Sequence, residues 1–223
     1  AFTQAFITLE IELAEDKLDK NGNRDIDDIR KVSTFGYNPL IADALNIPKL
    51  QTLTPTSARA LFEGMADKRR ESYAPPQVAA VTNTSTGAGY GHVPVRIYRP
   101  NTETTPAIVF FHGGGHVIGS LESYDTVSRT LALNCNATVI SVDYRMAPEH
   151  PFPAAPQDCF DATRWVSENA QALNIDPAKI TVAGDSAGGN LAAVIALMAR
   201  DAKLDLAAQI LIYPVTDYRG GTS

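Results

Sequence analysis

The chain has 223 residues, of which 44% are hydrophobic and 20% charged, an ordinary globular make-up that excludes a disordered or collagen-like chain. A net charge of −6, with Lys68, Arg69 and Arg70 as the longest basic run, argues against nucleic acid or anionic lipid as a partner. No apolar stretch approaches the roughly 20 residues needed to span a bilayer. No secretory signal is visible, and the compartment stays open, leaning to the cytoplasm. Cys135 and Cys159 lack metal-ligand spacing and read as separate buried thiols, so no metal site is expected.

In chain order, Phe2, Phe6, Leu9 and Leu13 recur at helical spacing and predict an amphipathic helix whose apolar face packs on the protein's own body. Asp19, Asn21, Asn23, Asp25 and Asp27 imitate a calcium loop, but Arg24 stands where the sharp turn needs Gly and Arg30 where a bidentate Glu belongs. A solvated acidic linker is the expectation. Residues 40–71 read as helical, interrupted at Pro48 and Pro55, with Thr54 as N-cap and Pro55 in the first turn. Pro75 and Pro76 end that region, giving a division into a helical segment 1–74 and a remainder 75–223. Strands over 78–81 and 93–98, joined by a Gly/Thr-rich turn at 87–91, form an antiparallel pair.

Beyond Pro100, short apolar runs at 108–111, 138–142, 180–183 and 209–213 alternate with helical stretches at 120–133, 156–173 and 187–200. This rhythm implies an α/β fold with a mostly parallel sheet and helices on both faces. In such sheets ligands bind outside the carboxyl ends of the strands.

Three segments fall at those ends. Gly184, Asp185, Ser186, Ala187 and Gly188 satisfy GxSxG between a strand and a helix, where a serine nucleophile is presented on a sharp turn and larger residues at 184 and 188 would collide. His112, Gly113, Gly114 and Gly115 follow the 108–111 strand. Glycines there let backbone N–H groups face a developing oxyanion, and Gly113 and Gly114, with Ala187, are the expected oxyanion hole. Phosphate binding is disfavoured, since neither GxxxxGK[ST] nor GxGxxG spacing occurs. The third segment, residues 143–155, holds Arg145 and Glu149, expected to pair with each other as loop support, as His112 is for the glycine loop.

HGGG at 112–115, DYRMAPEHPFPAA at 143–155 and GDSAGG at 184–189, in that order, resemble the hormone-sensitive lipase family of α/β-hydrolases, in its bacterial esterase branch. The resemblance runs from about Pro75 onward and implies an α/β-hydrolase fold with an N-terminal helical cap. It further implies a carboxylesterase acting on small-molecule short-acyl esters, with no metal or organic cofactor. Such enzymes order their triad as Ser, acid, His. The four histidines, His92, His112, His116 and His150, all precede Ser186. The C-terminal part of the fold, with the triad acid and histidine, is therefore expected beyond residue 223 or on a separate complementary chain, and residues 1–223 alone are expected to be inactive. The second reading is a non-catalytic small-molecule binding protein on the same fold.

Overall fold

A computed structural model describes residues 52–218. The expected opening helix, the acidic linker, the break at Pro48 and the 219–223 end lie outside them. The chain divides into two units, Ala1–Thr54 and Pro55–Ser223, and the sheet lies in the second. The boundary expected after residue 74 differs from this division, because the helix that begins at Pro55 belongs to the sheet-bearing unit.

Helix α1 spans Pro55–Ser72, with Pro55 in the first turn as its missing N–H allows. Ala58, Phe62 and Ala66 recur every four residues and form its buried stripe. A six-stranded sheet follows in the order β1-β2-β4-β3-β5-β6. Its strands are β1 Ala80–Ser85, β2 Pro94–Arg99, β3 Thr105–Phe111, β4 Thr138–Val142, β5 Ile175–Asp185 and β6 Ala208–Ile212. Strand β2 runs antiparallel to both β1 and β4, and the other neighbours pair in parallel. The expected first strand at 78–81 is displaced to 80–85: β1 is an exposed edge strand of sequence AVTNTS, which carries no apolar alternation to mark it.

Helices α2 Asp125–Cys135, α3 Ala154–Glu168 and α4 Ala187–Asp201 cross between the parallel strands. On one face, Ala107, Val109, Phe111, Ile140, Val142, Ile180 and Val182 meet Ala155, Cys159, Ala162 and Val166 of α3 and Leu191, Ala192 and Ile195 of α4. All five residues of β4 are buried, as a central parallel strand requires. Helix α2 starts five residues later than expected. Ser120 Oγ accepts the N–H groups of Glu122 and Ser123, a local turn that competes with helix. Asn136 in the left-handed conformation then closes α2. Both cysteines are free, but only Cys159 is buried and Cys135 is half-exposed. Among the described residues, no helix is long and apolar enough to cross a membrane.

Candidate active site

The four parallel strands end at Phe111, Val142, Asp185 and Ile212, so His112, Asp143, Ser186 and Tyr213 follow on one edge of the sheet. Ser186 occupies the single residue between β5 and α4, with φ 53° and ψ −118°, and its side chain makes no capping bond to the helix. Its N–H donates to Ile212 O at 2.9 Å, and its carbonyl accepts Val215 N–H at 3.2 Å, so the turn is fastened to the segment leaving β6. A β-carbon on Gly184 would strike Gly188 backbone, and one on Gly188 would strike the carbonyls of Phe111 and His112. The glycines flanking Ser186 thus let the turn lie directly against the start of the 112–115 loop. Ala187 is fully buried at the first position of α4, where its N–H has no partner within the helix and the dipole favours negative charge.

The glycine loop is held by side chains. His112 is buried, and its Nδ1 lies 2.7 Å from Gly113 O, a contact that requires Nδ1 to carry the proton. Burial lowers the imidazole pKa to about 4, so the ring stays neutral. Tyr144 stacks on it at 4.4 Å and donates its O–H to His112 O at 2.6 Å.

Gly113 requires a correction. Its N–H donates to Asp185 Oδ1 at 2.9 Å and also approaches Tyr124 Oη at 3.1 Å, so it is committed to the protein rather than open to a ligand. The physical reason is proximity: Asp185 ends β5 beside β3, close enough that a β-carbon on Gly113 would collide with its carboxylate. The next N–H groups along the loop belong to Gly114, at φ 121°, and Gly115, at φ 62°. A β-carbon at Gly114 would strike Ile118 O.

Asp185 accepts a second hydrogen bond, from Tyr124 Oη at 2.9 Å. Burial pushes its pKa up to about 6, outweighing the hydrogen bonds from Tyr124 and Gly113 that favour the charged form. Burial and the neighbouring carboxylate together raise the Tyr124 phenol well above its usual value, so it remains a donor.

Arg145 and Glu149 do not pair with each other. The Arg145 guanidinium holds Asp158 of α3 with bonds of 2.7–3.1 Å, and its backbone N–H donates to the same carboxylate. Glu149 receives Arg59 of α1 at 2.7 and 2.8 Å. Both partners lie on other elements, and each anchors the 143–155 loop to a different helix. Sequence reading missed Arg59, Tyr124, Tyr144 and Asp158 as partners of the site. The burial of Tyr124 and the 90-residue separation of Arg59 from Glu149 leave no local signal.

Comparisons with known proteins accord with this geometry. The sequence profile of a family described as "alpha/beta hydrolase fold" matches residues 108–223. A second profile, described as a domain of unknown function (DUF3333), matches residues 1–70. The chain is 50% identical over 131 residues to the carboxylesterase NlhH of Mycobacterium tuberculosis, covering 57% of this chain and 41% of that one. To the esterase LipI of the same species it is 38% identical over 184 residues, covering 80% and 57%. A solved esterase of Pyrobaculum calidifontis superposes with a TM-score of 0.76 at 41% identity, covering 84% of this chain and 62% of that one. The chain therefore spans about half the length of these curated relatives. With the family profile covering more than half of its residues and its fold shared with a solved esterase at 41% identity, the chain belongs to the hormone-sensitive lipase family of α/β-hydrolases.

Proposed function

We propose that the protein is a carboxylic ester hydrolase of short-acyl esters, working through Ser186 and an acyl-enzyme. The observation that carries this reading is the Ser186 turn: a half-buried serine at positive φ, free of capping bonds, between a strand and a helix and against a glycine loop. The names of the relatives, carboxylesterase and esterase, support it.

In this mechanism Ser186 Oγ attacks the ester carbonyl while a histidine accepts its proton, and the N–H groups of Gly114, Gly115 and Ala187 meet the oxyanion. Collapse expels the alcohol, which takes up that proton, and water hydrolyses the acyl-serine in a second round. His112 does not serve as the base: it is buried and bonded within its loop, and a pKa lowered to about 4 makes it a poor proton acceptor. No histidine follows Ser186 within the 223 residues, so the base and its orienting acid are assigned to sequence outside them. Ser186→Ala in the full-length protein is expected to lower turnover of a short nitrophenyl ester on the order of a million-fold. An organophosphonate should add its mass once per wild-type molecule and not to the variant. An unchanged, measurable rate in Ser186→Ala would overturn the assignment of Ser186, whereas a wild type that neither hydrolyses the ester nor takes up the phosphonate would leave the binding-protein alternative.

A further inference from the structure

We propose that helix α1 fastens the glycine loop, with Arg59 as a positioning residue for the Gly115 N–H; this rests on the proposed roles of Ser186 and the loop in ester hydrolysis. The residues of α1 that reach the loop, at 59, 62, 63 and 70, share one helical face. They meet the chain just after the glycines at four places. Arg59 Nε donates to Val117 O at 2.7 Å, and Ser120 Oγ donates to Glu63 Oε1 at 2.8 Å. The Phe62 ring lies 6.4 Å from that of Tyr124, and Arg70 donates to Glu122 O.

The Arg59 contact has a direct line to the site. Val117 O belongs to the planar peptide whose other end is the Ile118 N–H, and that N–H donates to Gly114 O at 3.0 Å. Gly114 C=O in turn shares a rigid peptide with the Gly115 N–H, which points the opposite way. The order is guanidinium, peptide 117–118, peptide 114–115, ligand. Hydrogen bonds in such a chain polarise one another as well as fixing orientation. Val117 N–H also donates to Gly114 O at 3.0 Å, so the Gly114–Gly115 peptide is gripped from one side only, the side α1 controls.

The same guanidinium steadies the neighbouring loop. Arg59 Nη2 donates to Ala147 O at 2.8 Å, while Ala147 N–H donates to His116 O at 2.8 Å, stitching residues 116–117 to 147. Arg59 thus bridges two backbone carbonyls and the Glu149 carboxylate at once. A planar fork with five donors does this, and a lysine ammonium at the same stem length does not.

The test uses the full-length protein with Arg59→Met and Arg59→Lys, against Arg200→Met, which removes an exposed ion pair at the far end of α4. For a short nitrophenyl ester, Arg59→Met is expected to lower kcat roughly ten- to a hundred-fold, the cost of a small misplacement of a catalytic donor, with KM within about twofold. Arg59→Lys falls between, and Arg200→Met matches wild type. Amide exchange at residues 114–119 should quicken in Arg59→Met while strands β3 and β5 keep wild-type protection. Unchanged kcat and unchanged exchange at 114–119, with only a lower melting temperature, would overturn the proposal. Arg59→Lys decides the same question if Arg59→Met does not fold. If wild type hydrolyses no ester yet Arg59→Met speeds exchange at 114–119, the fastener stands and the hydrolase reading falls.

Discussion

The serine turn and the glycine loop lie against each other, yet they are shaped by opposite means. Around Ser186 the backbone shapes itself: Gly184 and Gly188 remove two β-carbons, and the turn closes against Phe111 and Ile212 carbonyls a few ångströms away. The glycine loop, at residues 113–119, closes on itself at Gly114 O but is held in place by Asp185, Tyr124, Tyr144 and Arg59 on four other parts of the chain. One half of the site is thus specified by the close approach of backbone to backbone that two glycines permit, and the other by polar side-chain contacts 11–72 residues apart in sequence.

The most severe way to break this contrast is Gly188→Ala. Its β-carbon meets backbone carbonyls that have nowhere to move, so the loss should be about 4 kcal/mol or more and the variant should fail to give a cooperative melt. Next is Asp185→Asn. An amide there turns one N–H toward either Gly113 N–H or the Tyr124 hydroxyl, and turnover should fall about a hundred-fold while the fold is retained, as circular dichroism would report. Tyr124→Phe is milder. Gly113 N–H keeps Asp185, but the carboxylate loses a buried donor, at a cost of about 1–3 kcal/mol measured by urea unfolding.

The smallest effect is one of pH. Because burial lifts the folded-state pKa of Asp185 to about 6, the folded protein holds that proton more tightly than the unfolded chain does. The resulting stability is complete below the ordinary carboxylate range and is lost as pH rises through 6. The stability of wild type relative to Asp185→Asn should therefore shrink between pH 4 and 7; a difference that grows with pH would contradict the burial argument.

How far the sequence could be read obeys the same divide. GxSxG and the apolar run of β4 encode themselves locally, and β4 falls at 138–142 as expected. The sheet edge does not: β1 buries nothing, so no pattern marks it. Within the glycine loop the residue types were legible but not their occupancy, since nothing in HGGG says that Asp185 takes the first glycine's N–H. Arg145 and Glu149, four residues apart and opposite in charge, suggested each other, whereas the tertiary fold gives each a partner on a different helix.

The φ of 53° at Ser186 has a thermodynamic consequence. A residue with a β-carbon held in that region stores about 1–3 kcal/mol, drawn from the stability of the whole domain. Serine and alanine bear this load alike, and glycine does not. Ser186→Gly should therefore melt above Ser186→Ala, although it removes more atoms and loosens the unfolded chain. Glycine would gain stability at this position wherever the proposed role of Ser186 were not needed, so the serine is a tension the fold sustains.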